Sequence, residues 1–319
     1  MDNVSHSLAG WALSRAAGPE RPRGTTLALV LASNLPDIDI VLQARSGETY
    51  LLFHRGVTHS LVGLAVLPLA LAAALWWGCG RRTGFLRLAL VCACGVALHI
   101  LYDVVTPWGT LLLYPFSADR YSLDWLFIVD FVTWALPVAG LVASRVWPIR
   151  ARAVTVAWLL ALLLYAAGAG LVHRSATAAV IDAERVAGRA VVETFVFPRP
   201  GAPWRWSGVA AAPRSTSEPR VSVYRISGIP PDATPVGRIE RGFDDPWVAA
   251  AFATQPGQAY LWWSRAPVAV TEKAAGEVIV TLRDLRYSRT LVPTAETWTP
   301  FTIRFRFEER TGELIAVEW

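Results

Sequence analysis

The sequence has few charged residues for its length. Only 17% of its 319 residues are charged, against about 25% in a typical soluble domain, while 54% are hydrophobic. The mean hydropathy is +0.37. The shortage of charge, combined with so many apolar residues, excludes a disordered chain and disfavours an ordinary soluble enzyme. The composition therefore predicts a membrane protein that also has a soluble part.

Cysteine and lysine are also scarce. The three cysteines, Cys79, Cys92 and Cys94, fit no zinc-binding spacing, and an odd number makes no disulfide framework, so we interpret them as packing residues. Lys273 is the single lysine, and the remaining basic residues are arginines that form no cluster interleaved with aromatics. No nucleic-acid partner is therefore predicted, despite the net charge of +5.

Charge is distributed unevenly along the chain. Residues 1–173 contain 21 charged residues and residues 174–319 contain 34, so the first part suits a bilayer and the second suits water. We predict two domains: a membrane-embedded helical domain over 1–173 and an extramembrane β-rich domain over 174–319. The fold class is then an α-helical polytopic membrane domain followed by a mainly antiparallel β soluble domain.

Several apolar segments of the first domain are candidates for membrane spans, which need about 20 residues. Two shorter stretches, 5–16 and 25–42, have a polar end and are expected to be half-spans or re-entrant pieces. No cleavable signal peptide is expected, because Asp2 and His6 stand where a basic region would be. The four predicted spans cover 60–78, 88–102, 125–144 and 153–172.

Arginines in the intervening loops predict the orientation. Nine fall on one side and three on the other, and the Arg-rich side of an inner-membrane protein faces the cytoplasm. The C-terminal domain follows the last span and is therefore predicted in the periplasm. The first side carries Arg15, Arg21, Arg23, Arg81, Arg82, Arg87, Arg145, Arg150 and Arg152, and the second carries Arg45, Arg55 and Arg120.

His99 and Asp103 form the most informative pair of ionisable residues. They stand four positions apart on a predicted helix and therefore share one face. Ionisable residues in or beside spans are costly and indicate a functional site. An imidazole nitrogen and a carboxylate oxygen can converge there on one cation, as zinc and similar metals prefer. The alternative is a His–Asp hydrogen bond that orients a span.

A second group contains His54, Arg55 and His59, and a third contains Asp37 and Asp39. His59 is the preferred ligand, while His54 is a ligand or a supporting donor. Arg55 is a candidate clamp for a phosphate-like anion. Asp37 and Asp39 are candidate metal bridges and candidate general bases. The alternatives are an interfacial histidine pair and acids favoured by a helix dipole.

His6, Asp124 and Asp130 are further candidates. His6 alone is more typical of a satisfied interfacial histidine, and Asp124 and Asp130 are six positions apart, which does not place them on one helix face. Asp130 lies in an apolar run and needs a partner, such as Arg120 or a metal-bound histidine. Under the predicted topology these groups meet at one membrane face. Histidine and carboxylate ligands without cysteine suit zinc, manganese or iron.

Five segments together resemble the bacterial inner-membrane, metal-dependent hydrolase family, the LexA-binding or YdjM-type hydrolases. The resemblance covers roughly residues 1–145. It implies a metal site formed by His6, Asp37, Asp39, His59, His99 and Asp103. A more distant likeness is to zinc-dependent phospholipase C, although the later His-x-x-x-Glu helix of that family is missing. The matching segments are MDNVSHSLAGWALSRA, SNLPDIDIV, FHRGVTHSLVG, HILYDVVTPWGT and YSLDWLFIVD.

The C-terminal region changes to a period of two, which predicts strands. Residues 174–185 are expected to form a helical lead out of the membrane. Six tryptophans of this region are interpreted either as core residues or as a lid or membrane-interface platform. They are Trp204, Trp206, Trp247, Trp262, Trp263 and Trp298. The predicted strands cover 190–198, 220–227, 277–288, 301–309 and 313–319.

These features favour a membrane-bound, metal-dependent hydrolase that acts on an ester or phosphoester of a membrane lipid at the outer face of the inner membrane. A divalent metal ion, most plausibly zinc, is the expected cofactor, Asp37 or Asp39 the base, and Arg55 the oxyanion clamp. The alternative is a non-catalytic membrane protein whose polar cluster is structural or handles an ion, and whose β domain binds an envelope partner. Intramembrane proteolysis is disfavoured, because no His-Glu-x-x-His motif is present.

Overall fold

The structure is a computed structural model that describes residues 1–18, 24–78, 84–189, 193–211, 220–288 and 300–319. The N-terminal region is helical with apolar helices, and the C-terminal region contains antiparallel β-sheets, which confirms the predicted fold class. Some predictions concern residues outside the described ranges. These residues are Arg21, Arg23, Cys79, Arg81, Arg82, Trp298 and the first part, 190–192, of a predicted strand.

The chain divides into two compact units. The first contains residues 1–45, 53–171 and 200–203, and the second contains residues 46–52, 172–199 and 204–319. The predicted boundary at residue 173 falls inside one continuous helix.

The helices of the N-terminal part vary widely in length, and four 3-10 segments lie between them. The 3-10 segments are Ser14–Ala17, Leu35–Ala44, Val57–His59 and Pro148–Arg150. The α-helices are α1 Asn3–Leu13, α2 Thr25–Ala32, α3 Gly47–Phe53, α4 Leu61–Gly78, α5 Phe85–Val104, α6 Phe131–Val146 and α7 Ala151–Val186.

Three of these helices are long and apolar enough to cross a membrane. They are α4, α5 and the stretch that contains α7, in agreement with the predicted spans 60–78, 88–102 and 153–172. Helix α2 and the 3-10 segment Leu35–Ala44 meet at a bend of 44° and together pass the same test, as a broken span or a re-entrant loop.

The fourth predicted span, 125–144, was placed wrongly at its beginning. Helix α6 starts at Phe131 and has 16 residues, because Asp130 is its N-cap. The Asp130 carboxylate accepts hydrogen bonds from the backbone N–H groups of Val132 (2.8 Å) and Thr133 (3.1 Å), which a helix start leaves unsatisfied. Asp130 therefore stands at a helix end and not within a helix, although apolar residues flank it on both sides.

Small residues bring three helices into close contact. An added Cβ at Gly10 of α1 would lie 2.6 Å from Ser33 Oγ, and one at Gly95 of α5 would lie 2.6 Å from the Cβ of Ala32. Small side chains at helix contacts allow backbones to approach closely in membranes. Helices α1 and α5 therefore both pack tightly against the end of α2. Cys92 is buried in this contact region, as predicted for a packing residue, whereas Cys94 is exposed on α5.

The second unit contains two antiparallel four-stranded sheets, each with its strands in sequence order. Helices α8 Pro246–Ala253 and α9 Gln255–Trp263 lie between the sheets in the chain. The first sheet contains β1 Glu193–Arg199, β2 Ala202–Ala211, β3 Arg220–Ser227 and β4 Asp232–Glu240. The second contains β5 Pro267–Ala274, β6 Glu277–Asp284, β7 Ile303–Glu308 and β8 Leu314–Glu318.

The tryptophans of this region have different environments. Trp206 and Trp263 are buried at 1% exposure, which agrees with the core interpretation. Trp247 contacts the ring of Phe307, whereas Trp204 and Trp262 are exposed. Trp206 packs with residues of the C-terminal part of α7 and of strand β3, so that helix covers one face of the first sheet.

Candidate metal centre

Four predicted ligands converge within the first unit. One donor atom each from Asp37, His59, His99 and Asp103 lies within 4.8 Å of all the others. The 3-10 segments supply Asp37 and His59, and α5 supplies His99 and Asp103 from adjacent turns of one face. His59, His99 and Asp103 are fully buried, while the Asp37 side chain retains 10% exposure. The structure thus assembles residues that are 66 positions apart in the sequence.

The spacing of these donors fits a tetrahedral ion. Five of the six separations are 3.0, 3.1, 3.3, 3.4 and 3.6 Å, the shortest joining His59 Nε2 to His99 Nε2. Ligands about 2.0–2.2 Å from a tetrahedral metal lie about 3.3–3.6 Å apart. Two imidazoles and two carboxylates also form a donor set that zinc, manganese and iron accept. The residues present therefore fit a divalent metal ion.

The orientation of His99 is set by a backbone carbonyl. His99 Nδ1 lies 2.7 Å from the oxygen of Ser33, which can only accept a hydrogen bond. The proton of a neutral His99 is therefore on Nδ1, and the lone pair of Nε2 points at the other donors. Metal-ligating histidines are usually fixed in this way by a hydrogen bond on the second nitrogen.

Asp39 is next to the cluster and orients its neighbours. Its carboxylate accepts hydrogen bonds from Thr58 Oγ1 (2.7 Å) and from the backbone N–H of Arg55 (3.0 Å). It also lies 2.8 Å from His54 Nδ1 and 3.3 Å from His59 Nδ1. Asp39, His54 and Asp37 form a second group with metal-ligand geometry. Asp37 belongs to both groups.

Arg55 places a positive charge beside the cluster. It adopts a left-handed backbone conformation with φ 58°, which is uncommon for a residue other than glycine. Its side chain is buried, with Nη2 3.0 Å from Asp103 Oδ1 and Nη1 donating to Thr106 Oγ1 at 2.8 Å. The amino group of Met1 also donates to Asp103. The backbone strain at Arg55 therefore coincides with the candidate site, as strained residues often do.

The electrostatics of the cluster favour a cation. Three carboxylates, those of Asp37, Asp39 and Asp103, surround His59. Burial alone lowers the pKa of His59, but hydrogen bonds to these carboxylates raise it to about 10. Asp103 Oδ2 is buried 3.1 Å from His59 Nε2 and 3.3 Å from His99 Nε2, and no contact of good hydrogen-bond geometry reaches it from the part of the chain that the structure describes. A metal ion would satisfy this oxygen and balance the carboxylates.

His6 lies against the cluster but is not one of the four converging donors. Its ring stacks on His99 with the centroids 3.8 Å apart, and its Nε2 lies 3.5 Å from Asp103 Oδ1. Both ring nitrogens lack a hydrogen-bond partner among the described residues. His6 therefore retains the capacity to bind or to move a proton beside the cluster.

Asp124 and Asp130 have other surroundings. Asp124 accepts a hydrogen bond from Ser122 Oγ at 2.9 Å, and Asp130 accepts one from Tyr165 Oη at 2.6 Å in addition to capping α6. Neither belongs to a group with metal-ligand geometry among the described residues. Arg120, one of the partners expected for Asp130, donates to the backbone carbonyls of His54 and Gly109. Tyr165 is a side-chain partner of Asp130.

Sequence reasoning missed the polar groups that support the ligands. Thr58 lies within the segment FHRGVTHSLVG that carries the family resemblance, so its hydroxyl could have been predicted to support a ligand. Thr106 follows the predicted ligand Asp103 by three positions and could have been predicted in the same way. The Ser33 carbonyl has no signal in the sequence, because any residue can supply a backbone oxygen.

Comparison with known proteins finds similar sequences in two bacteria. Inner membrane protein YbcI of Escherichia coli (strain K12) is 36% identical over 110 residues, which are 33% of this chain and 60% of that protein. Uncharacterized protein YfhP of Bacillus subtilis (strain 168) is 28% identical over 155 residues, 46% of each chain. The chain thus spans about half the length of these curated relatives. No solved structure matches.

A family model gives the broadest similarity. The model for the YdjM inner membrane protein family matches residues 1–175, which include every residue of the cluster. This match confirms the family predicted from the five segments, as well as the inner-membrane assignment. The chain is therefore a member of the YdjM inner membrane protein family.

Proposed function

We propose that this protein is a membrane-bound, metal-dependent hydrolase. The observation that carries the proposal is the set of four donor atoms, five of whose six separations are 3.0–3.6 Å and which are nearly closed to solvent. A divalent metal ion such as zinc, held by Asp37, His59, His99 and Asp103, would supply Lewis acidity that polarises an ester or phosphoester and lowers the pKa of a water molecule.

The residues around the donors have separate roles in the proposed reaction. Thr58 Oγ1, which lies 3.0 Å from His59 Nδ1 and donates to Asp39, orients one imidazole, and the Ser33 carbonyl orients the other. We assign the proton-accepting role to Asp37, because Asp39 already accepts several hydrogen bonds and Asp37 keeps an exposed edge. Arg55, the predicted oxyanion clamp, provides a fixed positive charge beside Asp103.

The proposed substrate is a lipid at the outer face of the inner membrane. Helix α5, which carries two of the donors, is a candidate membrane span, so the cluster lies on a segment that contacts lipid. The excess of loop arginines on one side supports a periplasmic C-terminal region.

A fusion experiment tests this orientation. Alkaline phosphatase fused after Trp319 should be active, because this enzyme is active only in the periplasm. An inactive fusion, together with a fluorescent green fluorescent protein fusion at the same position, would reverse the orientation.

Turnover by the purified full chain tests the enzymatic proposal. The protein is reconstituted in liposomes with zinc or manganese and assayed for hydrolysis of carboxylic and phosphoric esters of lipids. His99→Ala should abolish turnover, while His173→Ala, whose histidine contacts the Val196 carbonyl instead of the cluster, should retain it. Equal turnover of the two variants would rule out the assignment.

A second function is favoured by the depth of the cluster. Three of the four donor residues have no exposed surface, as in a site that holds an ion for structural reasons or passes it on. In that case the β region binds an envelope partner and the cluster has no substrate. Stoichiometric metal without hydrolysis of any ester in the assay above would support this second function.

A further inference from the structure

An apolar cavity of about 330 Å³ is lined by Tyr102, which belongs to the same helix as His99 and Asp103. It is formed by two candidate membrane spans, α5 and α7, with contributions from Met1, Leu123, Trp125, Leu126 and Thr133. Pockets for small ligands are usually about 300–1,000 Å³. Its walls are almost entirely aliphatic or aromatic, with Leu98 and Leu101 on α5 and Leu159, Leu162 and Ala166 on α7.

The cavity has the length of a lipid-chain segment. Its lining residues run from Leu98 to Val105 on α5 and from Leu159 to Ala166 on α7. Each stretch advances seven residues, or about 10 Å at 1.5 Å per residue. The rims are open, because Leu101 and Leu163 are 65% and 64% exposed. On spans of this kind an open apolar groove faces hydrocarbon, so the material available to fill it is a lipid chain.

The groove and the metal donors occupy different faces of the same helix. Successive residues of a helix are rotated by about 100°, which places His99 and Asp103 on one face and Leu98, Leu101 and Val105 about 100–160° away from them. Tyr102 lies between the two faces. It lines the groove, and its ring is 5.9 Å from the ring of His6, which stacks on His99.

Tyr102 also introduces a polar group at this boundary. The residue is 4% exposed, and its hydroxyl has no hydrogen-bond partner in the described ranges. A buried hydroxyl without a partner costs free energy unless a ligand satisfies it. An ester oxygen of a lipid held between the groove and the donors would do so. The other polar side chain of the lining, Thr133, donates to the Asp130 carbonyl.

We propose that this groove binds one hydrocarbon chain of the lipid substrate, with the ester next to Tyr102 and the metal centre. The proposal rests on the proposed function for the reaction at the ester, but chain binding can be measured without turnover. It predicts selectivity for lipids with a chain long enough to reach along the groove. Soluble esters of the same head group, which leave the groove empty, should be poor substrates.

Photolabelling of the full chain in liposomes tests the groove directly. The probe is a phosphatidylethanolamine that carries a diazirine on one acyl chain, and labelled peptides are mapped by mass spectrometry. Ala166→Trp fills the groove, and Ala167→Trp is the matched control, because Ala167 is an exposed neighbour on α7 that does not line it. Labelling of α4, another candidate span, normalises the exposure of each variant to lipid.

Labelling of groove peptides should fall roughly tenfold in Ala166→Trp and change less than about twofold in Ala167→Trp, because overfilling a packed site excludes its occupant. Equal labelling in the two variants would overturn the proposal. Cross-links between two protein chains through groove residues would also overturn it, since the occupant would then be another protein surface.

The same variants separate this proposal from the hydrolase assignment. His99→Ala should lose turnover and keep groove labelling, because the metal ligand does not line the cavity. Ala166→Trp should raise KM for a long-chain ester at least about tenfold and raise KM for a short-chain ester much less, while Ala167→Trp should change neither. Groove labelling without any turnover of the wild-type chain would refute the hydrolase and leave the lipid site standing.

Discussion

At the scale of single residues, the cluster depends on groups that are not among its four donors. His59 and His99 direct Nε2 inward because their Nδ1 atoms face Asp39 and the Ser33 carbonyl. Arg55 holds Asp103 from the opposite side. The ligands are thus held in place by a surrounding layer of hydrogen bonds, which reduces the entropy lost when a cation binds.

Replacement of Asp39 by Asn tests this supporting layer. The amide keeps the size of the side chain but removes the charge that faces His54 and His59. Zinc affinity of the full chain, measured by competition with a chelator, should fall about 10–100-fold, as for other supporting groups at metal sites. Asp119→Asn, at an exposed aspartate, is the control and should leave affinity unchanged. Equal affinities would show that Asp39 does not position the ligands.

Sequence spacing revealed some of the site residues and concealed others. The four-residue spacing of His99 and Asp103 placed both on one helical face, because both lie on one regular helix. Asp130 was misassigned to the interior of an apolar span, because the apolar run continues on both sides of the N-cap. The orientation of Asp37 and Asp39 was open in the sequence, since their 3-10 segment has neither strand nor α-helical period.

At the scale of helices, the approach of α2 to α5 sets the position of the Ser33 carbonyl. Gly95 packs against Ala32 and the Leu29 carbonyl, one turn from His99. A larger residue at 95 would push α2 away and lengthen the hydrogen bond that orients His99. The packing of two helices therefore determines the direction of a metal ligand.

Gly95→Val should consequently weaken metal binding although Gly95 contacts no ligand. We expect a loss of at least about tenfold in zinc affinity, because a supporting hydrogen bond would be displaced. Gly168→Val, at a helical glycine with no neighbour within 4 Å of an added Cβ, is the matched control and should bind zinc normally. Similar affinities of the two variants would contradict this account of the α2–α5 contact.

In the second unit, a buried ion pair fixes the end of β6. Asp284 accepts hydrogen bonds from Ser264 Oγ (2.5 Å) and from Arg286 (2.8 Å), whose guanidinium lies 4.5 Å from the centre of the Trp263 ring. Burial alone raises the pKa of Asp284, but the charge and hydrogen bonds of Arg286, with a hydrogen bond from Ser264, hold it below its ordinary value. Asp284 is therefore ionised and paired.

Asp284→Asn leaves the Arg286 charge buried without its partner. Removing one member of a buried pair costs about 3–5 kcal/mol, so the unfolding temperature reported by tryptophan fluorescence should fall by several degrees. Asp182→Asn, at a pair whose side chains are more than half exposed, should have little effect. An unfolding temperature equal in both variants would show that the pair does not stabilise this unit.

Alternation predicted some strands and not others, for identifiable reasons. β1, β3, β6, β7 and β8 were found because apolar and polar residues alternate along them. β4 contains Pro235, which argues against a strand, but β4 is at the edge of its sheet, where a missing backbone donor is tolerated. Helices α8 and α9 were missed because they are only 8 and 9 residues long.

At the scale of the whole molecule, the rise in the density of charged residues falls near the end of the family match. The family match ends at residue 175, close to the point where the density of charged residues rises. Helix α7 continues through this point to Val186 and contributes residues to both units. The composition thus indicated the change of environment, while the continuity of the helix became visible only in the structure.

The metal content of the purified full chain tests the central claim most directly. Elemental analysis after removal of loosely bound ions should find one zinc or similar ion for each wild-type chain, because four preformed donors surround the position. His99→Ala should lose the ion and His173→Ala should keep it. A wild-type chain without stoichiometric metal, or equal metal in both variants, would contradict a metal centre formed by Asp37, His59, His99 and Asp103.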